Sequence, residues 1–321
     1  MVILSDCPER LAGLARAEDG SEERVDSLPP VDQALWRGLG GSSRLWRGTT
    51  RNPGPRDFWS RAVIVEEARS SQFDSLRESL AGGVALPGPT ACVALSGRGF
   101  HGQRNRPWLS APGNLHLCAV FPSPRLAARE VRSLPMLPAL AVVDAVHALT
   151  GGALRPGIKW VNDVLVAGQK VAGVLTATQV QGDEVSAILV GIGLNVRTAP
   201  PVPPTPFVPS VTCLAEAGVQ TTWAEAASFV MAALGRRVRE VETRGAGCLL
   251  DAYRAASVVV GREVCLFADA EPGETVTGTT PILRGTVRHI AADLSLVLEG
   301  VETPVASGRL AFAEDCRGGE P

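Results

Sequence analysis

Paired cysteines and clustered histidines are both missing from this 321-residue sequence. Its seven cysteines never form a CxxC pair, and its four histidines are scattered along the chain. Cysteine and histidine therefore give no metal-binding signature, and we expect the thiols to be reduced core residues of a cytosolic protein. Neither sign of charge dominates, because 31 basic residues are balanced by 33 acidic ones. A global electrostatic field that attracts nucleic acid is thus excluded.

Long hydrophobic runs are absent as well. The most apolar segment, Met136 to Leu149, is too short to span a bilayer and contains Asp144 and His147. Asp6 and Glu9 come before any long apolar run, so the N-terminus does not have the pattern of a signal peptide. We therefore expect a soluble, cytoplasmic protein, whose apolar content of 45% is enough for more than one domain.

A stretch that carries lysine within two apolar runs stands out among the features that are present. The runs Val164 to Ala167 and Val171 to Leu175 flank Gly168-Gln169, which favours a hairpin turn that opens with glycine. The same stretch holds four polar residues, Lys159, Asn162, Asp163 and Lys170. Lysine and aspartate are costly to bury unless they face each other or a charged ligand. Spacing alone fits an ordinary surface hairpin equally well.

A second polar region lies upstream, in the glycine-rich run Gly97 to Gly102. It satisfies G-x-G-x-x-G, but Pro107 and Pro112 follow where a dinucleotide-binding fold would begin a helix. We therefore interpret the run as a loop whose backbone N–H groups close over a ligand's phosphate. Three arginines would add charge, although exposed arginines are common in loops: Arg98, Arg104 and Arg106. The loop and the hairpin would together hold an anionic ligand from two sides.

Several motifs resemble those of the biotin protein ligases. They are KWVND at Lys159 to Asp163, QKVAGVL around Lys170, and GIGLNV at Gly191 to Val196. With SGRGFHG and the loop after it, the likeness runs from about Ser70 to Val196, and a weaker one continues to Phe312. The resemblance implies that biotin and ATP, with Mg²⁺, give biotinyl-5′-adenylate. A lysine of a biotin carboxyl carrier protein then takes the biotinyl group.

The resemblance also assigns roles to residues. Lys170 would bridge the biotin carboxylate and the α-phosphate, and Arg98 with the glycine backbone would cover the adenylate. Asn162, Asp163 and Asn195 would serve the nucleotide or its Mg²⁺, with Asp163 as the metal ligand. The full set of expected ligand-binding residues is Ser70, Ser71, Gln72, Ala94, Gly97, Arg98, Gly99, Phe100, Trp108, Asn162, Asp163, Lys170, Gly173 and Asn195. We expect a monomer or homodimer, with neither nucleic acid nor a membrane as a partner.

Two residues depart from the family's pattern. Ala94 stands where the family usually has glutamine, and Phe100 stands where it usually has arginine. The segment from Gly102 to Trp108 is also longer than in the family. These departures leave open a related acyl-adenylate ligase that acts on lipoate or another acid. A non-catalytic binder of biotin or of the carrier is a further alternative, against which the retention of Lys170 with both flanking motifs argues.

The pattern of apolar residues predicts an α+β domain at residues 57–255, with a mixed or largely antiparallel sheet backed by helices, and the resemblance implies that this domain is catalytic. Ser71, followed by Asp74, predicts a helix start, and Gly82-Gly83 predicts its end. Further helices are expected between Pro124 and Thr150 and from Trp223 onward. Short strands separated by turns predict a small β-barrel at residues 256–321. The resemblance implies the same arrangement, a biotin/lipoate-ligase-like domain followed by a small barrel.

Residues 1–56 are expected to form a packed extension of unknown role. They lack the two adjoining amphipathic helices and the basic recognition face of a helix-turn-helix domain. Five arginines are interleaved with Trp36 and Trp46, which leaves nucleic-acid binding as the less favoured alternative: Arg37, Arg44, Arg47, Arg51 and Arg56.

Overall fold

The fold is built on a ten-stranded sheet, seen in a computed structural model that describes residues 1–12, 14, 19–50, 58–268 and 280–316. Its strands are β1 (Val2–Ser5), β2 (Asp19–Arg24), β3 (Arg44–Thr49), β4 (Arg61–Ala68), β5 (Thr90–Gly97), β6 (Leu115–Pro122), β7 (Gly157–Lys159), β8 (Asp163–Val166), β9 (Gln169–Gln181) and β10 (Glu184–Leu194). Across the sheet they lie in the order β2-β3-β1-β4-β5-β6-β10-β9-β8-β7. The β1–β4 and β4–β5 pairs are parallel and the other pairs are antiparallel. The predicted α+β class with a mixed sheet is confirmed.

Helices cover both faces of this sheet. They are α1 (Pro30–Gly38), α2 (Gln72–Ala81), α3 (Met136–Leu149), α4 (Trp223–Arg244) and α5 (Leu250–Ala256). Successive side chains of a strand point to opposite faces, and β6 shows the two layers. Leu117 and Phe121 belong to the larger core with α3 and α4, whereas Cys118 and Val120 belong to a smaller core with α1 and α2.

The predicted start of α2 is confirmed. The Ser71 hydroxyl accepts a hydrogen bond from the backbone N–H of Asp74 at 3.3 Å, and the helix ends at Ala81 with Gly82 as its cap. Ser71 therefore satisfies one of the N–H groups that a helix leaves unpaired in its first turn. Phe73 and Leu76, on the inner face, pack into the smaller core.

The N-terminal segment supplies three strands of the same sheet. β1 lies between β3 and β4, and β2 forms one edge. Of the described residues before β4, only Pro30–Gly38 forms an α-helix, so the helix pair of a helix-turn-helix domain is not seen in that described part. The expected boundary between residues 56 and 57 lies outside the described residues, as do Arg51 and Arg56. The division of the chain into domains remains a prediction.

The C-terminal region forms a small sheet of four strands. They are β11 (Glu263–Phe267), β12 (Leu283–Ile290), β13 (Leu296–Leu298) and β14 (Arg309–Phe312). They lie in the order β13-β12-β11-β14, so the described strands do not show the closed barrel that was predicted. Val264 and Val287 join the larger core of the main sheet. None of the described helices has the length and apolar character that a membrane span requires.

Candidate active site

The lysine-bearing hairpin forms, but its turn lies one residue earlier than predicted. Val166 pairs with Gln169, so the two turn residues are Ala167 and Gly168 rather than Gly168 and Gln169. Their φ angles of 49° and 81° are both positive. Two positive φ angles are the signature of the type I′ turn, whose twist matches that of the flanking strands. Ala167 occupies the first position of this turn and Gly168 occupies the second.

A β-bulge sets the direction of Lys170. The pairing shifts from Val164 opposite Ala172 to Leu165 opposite Lys170, which leaves Val171 as an extra residue. Val171 and Ala172 both lie in the larger core, so strict alternation fails at this point. By alternation alone, Lys170 would share a face with Ala172 and point into that core. The bulge instead turns the lysine to the opposite face, as bulges near functional sites often do.

On that face, Lys170 pairs with Asp163. The lysine Nζ lies 2.7 Å from the aspartate Oδ1, and the two side chains are 20% and 19% exposed. The Nζ also lies 5.8 Å from the centre of the Trp108 ring. A Cβ added at Gly173 would lie 3.1 Å from the Trp108 indole and 3.5 Å from Lys170 Nζ. The missing side chain at Gly173 therefore makes room for the charged pair and the indole.

A cavity of about 370 Å³ opens beside this pair. Nine of the predicted binding residues line it: Ser71, Gln72, Phe100, Trp108, Asn162, Asp163, Lys170, Gly173 and Asn195. The part of β10 beneath the cavity carries glycine at positions 191 and 193. A Cβ added at Gly193 would lie 2.3 Å from the Trp108 indole, and one added at Gly191 would lie 3.1 Å from Phe73. Two aromatic rings can thus lie directly on the sheet.

Five predicted residues are not among those that line the cavity: Ser70, Ala94, Gly97, Arg98 and Gly99. The Arg98 side chain is 85% exposed, and its Nε lies 3.6 Å from a Glu67 carboxylate oxygen. Backbone donors of the glycine-rich loop are partly used within the protein. The N–H of Gly97 donates to the Ser110 hydroxyl at 3.1 Å, and the N–H of Arg98 donates to the Ala68 carbonyl at 3.2 Å. These two donors are engaged in the protein's own hydrogen bonds rather than aimed at a ligand.

The Asn195 side chain holds the loop that follows β10. It is 1% exposed, and its Nδ2 donates to the Thr212 carbonyl at 3.0 Å. Asn114 supports the same loop, because its Oδ1 accepts the backbone N–H groups of Val196 and Thr198 at 2.9 and 3.1 Å. The Asn195 Oδ1 accepts from Asn114 Nδ2 at 3.4 Å, so both ends of the Asn195 side chain are engaged within the protein. The Asn162 Nδ2 also donates to a backbone carbonyl, that of Val174, at 2.8 Å.

Sequence comparison places this arrangement among known proteins. A family model described as "Biotin/lipoate A/B protein ligase family" matches residues 82–195. The chain is 33% identical over 166 residues to the biotin–[acetyl-CoA-carboxylase] ligase of Paracoccus denitrificans, covering 51% of this chain and 68% of that protein. The chain belongs to the biotin protein ligase family.

Two further comparisons define the extent of the likeness. The bifunctional ligase/repressor BirA of Bacillus subtilis is 30% identical over 160 residues, which cover 50% of this chain and 49% of BirA. The match therefore spans about half the length of that relative. The fold is also similar to that of the biotin protein ligase from Aquifex aeolicus in complex with biotin and ATP, with a TM-score of 0.61. That similarity covers 79% of this chain and 98% of the other at 20% identity, and it shows the fold alone.

Within this biotin protein ligase fold, the KWV part of the hairpin motif anchors distant segments. Lys159 Nζ donates to the Phe207 carbonyl at 2.6 Å and lies 5.1 Å from the Phe312 ring. Burial lowers the pKa of Lys159, against the opposing effect of nearby carboxylates. Trp160 Nε1 donates to the Leu294 carbonyl at 2.7 Å, and the Tyr253 hydroxyl donates to the carbonyl of the next residue, Val161, at 2.8 Å. Lys159 therefore holds segments of the fold together, whereas Lys170 lines the cavity.

Several residues that line the cavity were not identified from the sequence. His101 Nε2 lies 2.6 Å from the Asp74 carboxylate, which links the glycine-rich loop to α2. Phe73 and Arg309 also line the cavity, and so does Arg106, one of the three loop arginines that were expected to add charge. Nothing local in the sequence indicates His101, Phe73 or Arg309, because they come from three different segments and meet only in the folded chain.

His116 is another cavity residue that sequence reasoning missed. It is 4% exposed, and burial lowers the pKa of His116 to about 4. Its ring centre lies 5.1 Å from that of Phe100. One signal was present in the sequence, since a lone histidine between Leu115 and Leu117 is unexpected in a buried strand.

Proposed function

We propose that this chain is an ATP-dependent biotin protein ligase, an enzyme that joins an acid to an amine. It activates biotin as biotinyl-5′-AMP and transfers the biotinyl group to a lysine of a biotin carboxyl carrier protein. The observation that carries the proposal is Lys170, which pairs with Asp163 at a cavity of about 370 Å³. The name of the Paracoccus relative supports the choice of acid and carrier. The unpaired state of all seven cysteines supports a cytoplasmic location.

The first step brings two anions together. A carboxylate oxygen of biotin attacks the α-phosphorus of ATP, the bond from that phosphorus to the oxygen of the β-phosphate breaks, and pyrophosphate leaves. Such a step needs cations aimed at the charge that develops on phosphorus and its oxygens. Lys170 supplies this charge from a partly buried position, where electrostatic interactions are stronger than in water. Asp163 positions the ammonium group while the ligands are absent.

Mg²⁺ would add to this neutralisation of phosphate charge when it is bound. The described residues contain no group of three or more histidine, cysteine, aspartate or glutamate side chains that could hold a metal ion. Mg²⁺ often needs only one or two carboxylates together with substrate phosphates. Asp163 and the neighbouring Asn162 both line the cavity and fit that donor set.

The second step transfers the acyl group. The lysine amine of the carrier attacks the acyl carbon, the bond from that carbon to the phosphate oxygen breaks, AMP leaves, and the amine loses a proton. We retain Arg98 as a proposed second cation for the adenylate. Because its side chain is 85% exposed beside Glu67, it would have to leave that position to reach the ligand. Replacing Arg98 with methionine tests this role separately from that of Lys170.

The identity of the acid is tested directly. The protein is incubated with ATP and either biotin or lipoate, and pyrophosphate release and the acyl-adenylate are measured. We expect release and adenylate with biotin, followed by transfer of labelled biotin to a purified carrier domain. Release with lipoate and none with biotin would overturn the substrate, a possibility that the scope of the matching family model includes. Binding of biotin without release under any condition would indicate a non-catalytic binder.

A further inference from the structure

One row of paired residues crosses the sheet beneath the cavity. Ala94 is opposite His116, His116 is opposite Gly193, Gly193 is opposite Gly173, and Gly173 is opposite Asp163. Adjacent strands are about 4.8 Å apart, so His116 and Asp163 are separated by roughly 14 Å. The two glycines between them leave room on the sheet for the Trp108 indole, which lies over both. The row therefore has a charged end at Asp163, where Lys170 is paired, and a second polar end at His116.

The hydrogen bonding of His116 defines what this second end offers. Its Nδ1 lies 3.3 Å from the Ala94 carbonyl oxygen. A carbonyl oxygen only accepts, so Nδ1 carries the proton in this contact. Its burial beside the Phe100 ring keeps the imidazole neutral. In a neutral imidazole protonated at Nδ1, the other nitrogen, Nε2, is a hydrogen-bond acceptor.

That acceptor has no partner in the protein. Nε2 of His116 is buried without a hydrogen bond among the described residues, and so are Nε2 of Gln72 and Nε1 of Trp108. All three side chains line the cavity. Buried polar groups in native proteins are normally paired, and an unpaired one calls for an explanation such as a ligand. The cavity therefore presents one acceptor, on His116, and two donors, on Gln72 and Trp108.

The chemistry of a matching ligand follows from this set. A group that carries both N–H and C=O, without net charge, satisfies an acceptor and a donor together. A carboxylate at the other end of the same molecule would lie toward Lys170. Biotin has this form, because a short chain joins its carboxylate to a cyclic urea. Lipoate has the carboxylate and the chain, but its dithiolane ring has no N–H.

We propose that His116 is a specificity-determining residue, which accepts a hydrogen bond from an N–H of the ligand's urea while Gln72 donates to the urea carbonyl. The proposal rests on the function proposed above and identifies how this chain tells biotin from an acid without N–H groups. His116 acts on binding of the acid and takes no part in the attack on phosphorus.

The test compares two substitutions at His116. His116→Phe keeps a ring of similar size but removes the acceptor, whereas His116→Gln retains a side-chain oxygen that can reach the position of Nε2. Dissociation constants are measured by calorimetry for biotin, for biotin methylated at a urea nitrogen, and for lipoate, without ATP. The matched control is His147→Phe. His147 is also a histidine whose Nδ1 lies 3.3 Å from a carbonyl oxygen, but it is exposed on α3 and is not among the cavity residues.

We expect His116→Phe to weaken biotin binding about tenfold, because an unsatisfied N–H of the ligand loses on the order of one hydrogen bond. His116→Gln should recover most of this loss, and His147→Phe should have no effect. Lipoate binding should change less than about twofold in any variant. For biotin methylated at the nitrogen that His116 contacts, wild type and His116→Phe should bind alike, because the interaction is already lost. In turnover, KM for biotin should rise while kcat is retained.

The outcomes separate this proposal from the function on which it rests. Equal weakening of biotin and lipoate by His116→Phe would show that the residue only shapes the cavity, and the proposal would be wrong. Unchanged biotin affinity in an active His116→Phe enzyme would overturn it while the ligase activity stands. If the wild type binds lipoate and not biotin, both the proposal and the substrate assignment fail. If His116→Phe does not fold, the two biotin ligands measured on wild type and His116→Gln still decide the question.

Discussion

Replacement of Lys170 by methionine is the sharpest test of the proposed chemistry. Methionine keeps most of the length and the apolar stem but removes the ammonium group that lies 2.7 Å from Asp163. A hydrogen bond to a charged group contributes about 1.5–3 kcal/mol. Removal of one donor that stabilises a developing oxyanion costs on the order of 10²–10³ in rate. We therefore expect adenylation by Lys170→Met to fall at least about a hundredfold, or about 2.7 kcal/mol.

The expected effect of this change on folding is much smaller. Loss of one partner from a fully buried ion pair costs about 3–5 kcal/mol, because the other charge is left without compensation. Asp163 is 19% exposed and lines the cavity, so water can solvate its carboxylate after the lysine is removed. We expect a loss of about 1 kcal/mol in the free energy of unfolding. Lys170→Arg, which keeps a positive charge, is the matched control.

The assay is single-turnover formation of biotinyl-adenylate, with urea unfolding on the same preparations. Activity near wild type in Lys170→Met would refute the role of the charge, and Lys170 would then be an ordinary partly buried lysine. A large loss of stability with an unchanged rate per folded molecule would also refute it. Recovery of a substantial part of the rate in Lys170→Arg would show that the charge matters more than the shape of the ammonium group.

Three further changes probe the cavity. Gly193→Ala places a Cβ 2.3 Å from the Trp108 indole, so we expect a shift in tryptophan fluorescence and a loss of about 1–3 kcal/mol in stability; unchanged values of both would contradict the packing. Phe100→Arg should leave the off-rate of the adenylate nearly unchanged, because Arg106 already lines the cavity, whereas Arg106→Ala should speed release. Slower release by Phe100→Arg, with no effect of Arg106→Ala, would mean that the wild-type protein holds its adenylate loosely. Since burial lowers the pKa of His116 from 6.5 to about 4, the unfolded chain takes up a proton first as pH falls. Stability should therefore drop between about pH 6.5 and 4, by about 3 kcal/mol in total, and His116→Phe should flatten this dependence in urea unfolding.

Two parts of the fold could be predicted from short stretches of sequence. The start of α2 at Ser71 follows from helix capping, and the strand pair around Lys170 follows from two apolar runs that flank a glycine turn; both are found. The bulge at Val171 could not be predicted in this way, because it depends on how β8 and β9 are aligned. The same limit applies to Arg98, whose direction is set by the path of the glycine-rich loop and by Glu67.

The strands of the N-terminal segment illustrate a second limit. β2 has the sequence DGSEER, which gives no apolar alternation and is typical of a loop. It is nevertheless hydrogen-bonded along β3, with Glu22 opposite Trp46 and Arg24 opposite Arg44. Because β2 lies at the edge of the sheet, its charges are compatible with pairing on one side and discourage pairing with another chain on the other. The reason why this charged segment forms a strand is apparent only once the position of β2 at the edge of the sheet is known.

The anchoring of Lys159, Trp160 and Val161 has a consequence for how the chain can be divided. These adjacent residues hydrogen-bond to segments that lie 48, 134 and 92 positions further along the chain. A fragment that stops after α4 would keep the Phe207 acceptor of Lys159 but would leave the Trp160 indole N–H without its acceptor. It would also remove the Tyr253 hydroxyl that donates to Val161 and the Phe312 ring beside the Lys159 ammonium. Such a fragment would lack these contacts directly beside the hairpin that carries Lys170. The C-terminal region therefore helps to shape the candidate active site, and we expect its small sheet to unfold together with the main sheet in one cooperative transition.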